Sequence, residues 1–171
     1  GTPLTACSWI AARRGAHGAV LAARAVATGS ADSAFPLSRP PGHHAGKNRA
    51  SGFCIFNNVA VAAAHALAQH GLSRVAIADF DVHHGDGTDE IFNADPRVLL
   101  CSTFRHPYYP YRGMESANEH IINTPLAAAA TGTDFRAAVT AHWLPALERF
   151  QPQLILVSAG FDAHIEDDMG G

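Results

Sequence analysis

Val75-Ala76-Ile77-Ala78-Asp79-Phe80-Asp81-Val82-His83-His84-Gly85-Asp86-Gly87 decides how this chain is read. The opening Val75–Ala78 is apolar and partly β-branched, the composition of a strand buried on both faces of a parallel sheet. Positions 79–87 then crowd acids, imidazoles and glycines at that strand's carboxyl end. In extended backbone, side chains repeat every two residues, so Asp79, Asp81 and His83 are expected on one face and Phe80 and Val82 on the other. Gly85 and Gly87 are expected to let the backbone curl so that Asp86 reaches the same pocket. Isolated buried carboxylates are too costly to persist unpaired, so the cluster calls for a cation.

A similar arrangement returns near the end. Leu154-Ile155-Leu156-Val157 runs into Ser158-Ala159-Gly160-Phe161-Asp162-Ala163-His164, so a second strand delivers Asp162 at its tip. Arg97–Ser102 reads as a further buried strand. Helices are expected over about 58–70, with an asparagine cap, and from Asp134 to about Phe150, kinked at Pro145 because its ring displaces the bond to Ala141. Strands alternating with helices imply an α/β fold, a parallel sheet with helices on both faces whose ligands bind at the strands' carboxyl ends. Asp81, His83 and Asp162 are therefore expected to converge. Two carboxylates and a neutral imidazole neutralise a divalent ion and leave coordination positions open, the catalytic pattern of zinc, and ferrous iron accepts the same mixed donors. Such an ion polarises a carbonyl and brings the pKa of a water down from about 15.7 to about 7, which indicates hydrolysis at neutral pH.

Upstream, Ser8 reads as the cap of a helix over about 9–27, with Ile10, Val20, Leu21 and Val26 toward the core, Gly29 as stop, and Arg13, Arg14 and His17 in water. Ala34–Leu37 reads as a short strand leading to Arg39-Pro40-Pro41-Gly42-His43-His44-Ala45. The prolines exclude helix and hold His43 and His44 on a stiff loop. A histidine that donates one ring nitrogen to a carboxylate is fixed in tautomer and made more basic, and Asp79 and Asp86 remain for that task. General-base help of this kind is worth about 100-fold to 10,000-fold. His65 and His70 lie off helical ligand spacing and read as structural, as do His106 and His120. Phe104–Gly113, with Tyr108, Tyr109 and Tyr111, reads as a long aromatic loop.

Composition excludes several classes. At 171 residues the chain is one domain or a piece of one, and 47% hydrophobic against 16% charged residues can bury a core. A net charge of −3 leaves no nucleic-acid footprint. With no membrane-length apolar run and no signal-type N-terminus, the chain is read as cytoplasmic. Cys7, Cys54 and Cys101 are odd in number and read as small buried thiols rather than a disulfide framework. Both ends read as truncated: the N-terminus lacks an initiator Met, and the C-terminus stops at Asp167-Asp168-Met169-Gly170-Gly171.

RPPGHHA (39–45), SGFCIFNN (51–58), DFDVHHGDG (79–87) and SAGFDAH (158–164), in that order, resemble the histone deacetylase and acetylpolyamine amidohydrolase family, its class II and bacterial branch above all. The resemblance spans nearly all of 1–171 and implies a single, partial deacetylase catalytic domain of the arginase/deacetylase α/β fold. By it, Asp81, His83 and Asp162 match zinc ligands. His44 matches the general base and acid, partnered by Asp86, and His43 its electrostatic companion, partnered by Asp79. Gly52 and Phe53 match one wall of an acyl-lysine tunnel, and Tyr109 the opposite wall. Asp79, Asp81, His83, Ser102 and Thr103 match a structural potassium site, whereas His84 and His164 carry no direct role. The family's oxyanion-stabilising tyrosine belongs to a later glycine-rich segment, and its acidic rim residue falls at or before Gly1. The implied reaction is hydrolysis of acetyl-lysine in proteins to acetate and a free amine. The alternatives are an acetylated polyamine or other small amine as substrate, and a homologue that binds acyl-lysine without turnover. An arginase-type ureohydrolase would need more carboxylates for two metals. Oligomeric state has no signal in the sequence.

Overall fold

Strand β1 (Val75–Asp79) lies between β2 (Val98–Arg105) and β4 (Leu154–Ser158), and β3 (Ile121–Leu126) completes a parallel sheet in the order β3-β2-β1-β4. The structure, a computed structural model, describes residues 2–115 and 118–169. Register sets Asp79 beside Ser102 of β2 and Ser158 of β4, so β1 and β4 finish level at their carboxyl ends while β2 runs on to Arg105.

A parallel sheet needs cover on both faces, and it has it. On one face Val75, Ile77, Val98, Leu100, Ile121 and Leu154 pack under α1 (Ser8–Ala27) and α2 (Asn58–Gln69) through Ala23, Ala60, Ala62, Ala63 and Ala66. Small side chains there let α2 approach the sheet closely. On the other face Ala76, Leu99 and Cys101 meet Trp143 and Ala146 of a helical segment built from α4 (Gly132–Ala138), a π turn (Val139–Trp143) and α5 (Leu144–Phe150). The expected α/β architecture is present.

Several local expectations are corrected. Ser8 is inside α1 rather than its cap; Cys7 holds that position, and the Ser8 hydroxyl accepts from the Thr5 N–H at 2.8 Å. The buried stripe of α1 is Ala12, Gly15 and Ala23, while Ile10 and Leu21 stand half-exposed, because the small residues fit against α2. Ala34–Leu37 forms no strand, since Pro36 lacks a ladder donor and Phe35 and Leu37 face water. Thr131, not Asp134, caps α4, and Asp134 returns the bond to the Thr131 N–H at 2.7 Å in a capping box. The Pro145 disturbance takes the form of the π turn, in which the Leu144 N–H reaches the Val139 carbonyl. Strand β3, which was not anticipated, tolerates Pro125 because it lies on the sheet edge. Cys7 is exposed rather than buried. Among the described residues no helix is long and apolar enough to cross a membrane.

Candidate active site

The backbone does not stay extended past Asp79; residues 81–83 bend, and the expected common face splits in two. Asp79 turns toward His43, whereas Asp81 and His83 turn toward Asp162. His83 Nδ1 lies 3.0 Å from Asp81 Oδ1 and 3.0 Å from Asp162 Oδ2. One donor atom from each of the three falls within 4.8 Å of the others. Because β4 pairs with β1, the loop after it crosses directly over the cluster. Asp162 Oδ1 accepts the Val82 N–H at 3.0 Å, and a Cβ at Gly160 would collide with the Asp81 carboxylate.

His43 and His44 project from their stiff loop into the same space. His43 Nδ1 bonds Asp79 Oδ2 at 2.9 Å, His44 Nδ1 bonds Asp86 Oδ1 at 2.7 Å, and the ring centroids are 4.1 Å apart. Both rings are buried. The loop is pinned by the Asn57 side chain, which donates to the Ala45 carbonyl at 3.1 Å, and by the Gly87 N–H, which donates to the His43 carbonyl at 3.0 Å. Here the glycine expectation is revised. Gly85 has an ordinary φ of −75°, and a Cβ there would sit 2.6 Å from Asp79 Oδ2. A Cβ at Gly87 would strike the Ala45 carbonyl. The glycines supply room rather than a turn, and Asp86 opens helix α3 (Asp86–Phe92) instead of riding a curled loop.

Electrostatics separates the two histidines. Burial works against charge on both. For His43 the Asp79 carboxylate outweighs burial, with help from Asp81, and the ring is lifted to about 9. For His44 burial prevails over the hydrogen bond to Asp86, the charge on His43 adds to it, and the pKa falls below 6.5. Near neutral pH one ring is thus a cation and the other a neutral base. Burial favours the neutral acid of Asp81, yet hydrogen bonds from the His83 ring and backbone, with the His43 charge, hold it at about 2. Burial likewise opposes the charge on Asp86, but His44 and Arg49 keep its pKa below the usual carboxylate range.

Gly52, Tyr109 and a further ring, Tyr108, lie against the histidines of the cluster, with Phe53 next to Gly52 in the chain. Gly52 and Phe53 both have positive φ, +52° and +64°, and a Cβ at Gly52 would overlap the His44 ring. A left-handed Phe is a strained choice, the kind concentrated at functional sites. Tyr109 sets its ring edge against His44 at 5.1 Å and His83 at 6.0 Å, and its hydroxyl pairs with Ser51 Oγ at 2.9 Å. Tyr108 also belongs to the site: it stacks on His83 at 5.3 Å, with the Arg105 guanidinium 4.4 Å from its ring centroid. Tyr111 points away into water.

The donor set suits a cation. Asp81, His83 and Asp162 supply hard carboxylate oxygens and one imidazole nitrogen to a common point, as mixed-ligand divalent sites do. Beneath them, Asp79 is wholly buried beside Ser102, whose buried hydroxyl has no protein partner among the described residues; Thr103 follows, also buried. That orphaned oxygen next to buried carboxylates is what a second, monovalent cation would satisfy.

The remaining histidines take other roles. His84 Nε2 meets Asn123 Oδ1 at 3.1 Å and Asp89 Oδ2 at 3.4 Å, in the interior. The His120 Nε2–H donates to the Phe92 carbonyl at 3.2 Å, and His65 rests edge-on to His70 at 5.3 Å. His164 is exposed and accepts the Glu166 N–H at 3.2 Å. Gly1, where the acidic rim position would fall, lies outside the described residues. Sequence reasoning missed Arg49, whose guanidinium lies 2.7 Å from Asp86 Oδ2. A lone cation in a polar loop gives no local sign of the acid it will meet 37 positions later.

A family model described as "Histone deacetylase domain" matches residues 1–171. The chain is 43% identical over 174 residues to the "Histone deacetylase-like amidohydrolase" of Pseudomonas aeruginosa, covering 98% of this chain and 46% of that one. It is 42% identical over 171 residues to the "Polyamine deacetylase HDAC10" of Mus musculus, covering 93% and 26%. Among solved structures, an acetylpolyamine aminohydrolase from Burkholderia pseudomallei superimposes with a TM-score of 0.87 at 38% identity, over 95% of this chain and 49% of that one. The chain thus spans less than half the length of these relatives. A family model that matches the whole of 1–171 means that the chain belongs to the histone deacetylase family.

Proposed function

We propose that this chain carries the metal- and base-bearing part of a zinc-dependent deacetylase that hydrolyses the acetyl amide of acetyl-lysine in proteins to acetate and a free amine. The observation that carries the reading is the meeting of Asp81, His83 and Asp162 at one point, with the His43–Asp79 and His44–Asp86 pairs directly beside it. Asp81, His83 and Asp162 would hold the ion. When bound, a divalent ion there polarises the acetyl carbonyl and acidifies a water.

The protein's own groups handle the protons. His44 donates Nδ1–H to Asp86, which leaves Nε2 unprotonated to act as the base, and its lowered pKa keeps that nitrogen free at neutral pH. His44 takes a proton from water as the C–O bond forms. It returns that proton to the nitrogen as the C–N bond breaks, so the amine leaves neutral. His43, held as a cation by Asp79, places positive charge beside His44, with the two ring centroids 4.1 Å apart, where it would offset negative charge that develops on the carbonyl oxygen. Gly52, Phe53, Tyr109 and Tyr108 enclose the acyl chain. Asp79, Asp81, His83, Ser102 and Thr103 would hold a potassium ion, for which the Ser102 hydroxyl, buried without a partner among the described residues, speaks.

An acetylated polyamine is the second reading, favoured by relatives of both names at nearly equal identity. A fluorogenic acetyl-lysine peptide and an N-acetylated polyamine, each assayed with the intact protein with and without chelator, separate these. Chelator-sensitive acetate release from the peptide supports the first reading, and release from the polyamine alone the second. Tight hydroxamate binding without release from either would leave only an acyl-lysine binder. Mass spectrometry of the native protein reads which metal it holds and how many.

A further inference from the structure

Asp86 has two oxygens, and only one serves His44. Oδ1 takes the His44 Nδ1–H at 2.7 Å, while Oδ2 takes the Arg49 Nη2–H, also at 2.7 Å. Arg49 is in turn steadied by Glu90, whose Oε2 lies 3.3 Å away and whose Oε1 accepts the Lys47 N–H at 3.1 Å. Gly46 permits this, since any side chain there would strike the Glu90 carboxylate. Alternating charge on Glu90, Arg49 and Asp86 therefore runs from the surface inward and ends on the neutral His44 ring.

The carboxylate of Asp86 is buried while Arg49 is partly exposed, so the cation reaches in from the rim to a pre-placed acid. Without Arg49 that acid would keep one hydrogen bond and one empty lone-pair edge. A carboxylate held at one oxygen can swing about its Cβ–Cγ bond, or take up a proton, and in either state it no longer fixes the imidazole tautomer. Charge-assisted bonds at both oxygens remove those freedoms.

We propose that Arg49 is a positioning residue for the amide hydrolysis: it clamps Asp86 Oδ2 so that Oδ1 keeps His44 in the Nδ1–H tautomer, with Nε2 presented to the substrate. The catalytic part of this inference rests on the hydrolase reading above; the tautomer part does not. Among the described residues the Arg49 side chain bonds Asp86 and Glu90 and none of Asp81, His83 and Asp162, so its path to His44 runs through Asp86.

The test uses the intact, metal-loaded protein with Arg49→Met, which keeps the apolar stem and removes every donor, and Arg49→Lys, which restores one charged donor. The imidazole 15N resonances of His44, assigned by their loss in His44→Gln, report the tautomer whether or not the protein turns over. The expected result is a single Nδ1–H tautomer in the parent and in Arg49→Lys, and a mixture in Arg49→Met. Where the parent releases acetate, Arg49→Met should lower kcat about 10-fold to 100-fold, the range for partners of site ligands, with KM within about twofold. Arg49→Lys should recover most of that loss. In an Asp86→Asn background, Arg49→Met should cost less than about twofold more, because the two act through one path. An unchanged His44 spectrum in Arg49→Met would overturn the proposal. So would losses at Arg49 and Asp86 that multiply independently. A parent with the fixed tautomer but no acetate release would count against the hydrolase reading alone. If Arg49→Met does not fold, Arg49→Gln, with a shorter stem and an uncharged donor, is read by the same spectrum.

Discussion

The tips of β1 and β4 both deliver an acid to one point, yet they are built differently. β1 has a strand on either side and helices over both faces, and Val75, Ala76 and Ile77 are at most 1% exposed. At its tip Asp79, Asp81 and Asp86 each meet a histidine. β4 pairs with β1 alone among the described residues, and Ile155 and Val157 are 51% and 54% exposed. Its acid, Asp162, is aimed by one backbone N–H and one imidazole. The contrast teaches that a converging site needs only one over-determined side. The buried tip holds charge and tautomer in place, and the second needs only correct register with its neighbour.

That contrast can be broken at four points. The largest effect belongs to the shared point itself. Chelation, or Asp162→Ala, should cost more than about 1,000-fold in acetate release, since a Lewis-acid ion supplies several kcal/mol and each 1.4 is tenfold. Metal content should fall with it; Asp162→Ala protein that keeps both would show the β4 tip to be dispensable. Next, His44→Gln should lower kcat about 100-fold to 10,000-fold while bound metal is retained. Equal loss of metal would mean that His44 acts as a ligand rather than a base.

In the strands below, Ile77→Ala should destabilise by about 2–5 kcal/mol, whereas Val157→Ala, at a half-exposed position, should stay within about 1 kcal/mol. Denaturant midpoints of the intact protein measure both, and similar costs would erase the difference between central and edge strand. The smallest effect is on acid stability. Asp81 at about 2 and Asp86 below 3.8 have folded pKa values depressed from their unfolded ones. They contribute stability that is complete above pH 3.8 and lost as pH falls toward 2. In metal-free protein Asp86→Asn should flatten that decline, and an unaltered slope would remove Asp86 from the account.

How much was legible beforehand follows from range. The apolar runs at Val75 and Leu154, each ending in acids, mark strand tips by local pattern, and the parallel sheet with helices on both faces follows from alternation. His43 and His44 were legible as a pair because adjacent prolines stiffen their loop. The tilt of each ring was not. Local pattern also misplaced the Ser8 and Asp134 caps by a few residues and invented a strand at Ala34, where no neighbour pairs with it. Strand β3 escaped notice because an edge strand interrupted by Pro125 has weak periodicity.

Read alone, the sequence determined which residues are chemically able to hold a cation and move a proton, because side-chain type and spacing along one strand are local properties. The tertiary structure decided which of them share a partner. Asp79 was assigned to His43, and Asp81 to His83 and Asp162, by the bend after β1; Arg49 was assigned to Asp86 by two loops meeting. Those pairings depend on atoms a few ångströms apart in space but tens of residues apart in the chain, and only packing sets such distances.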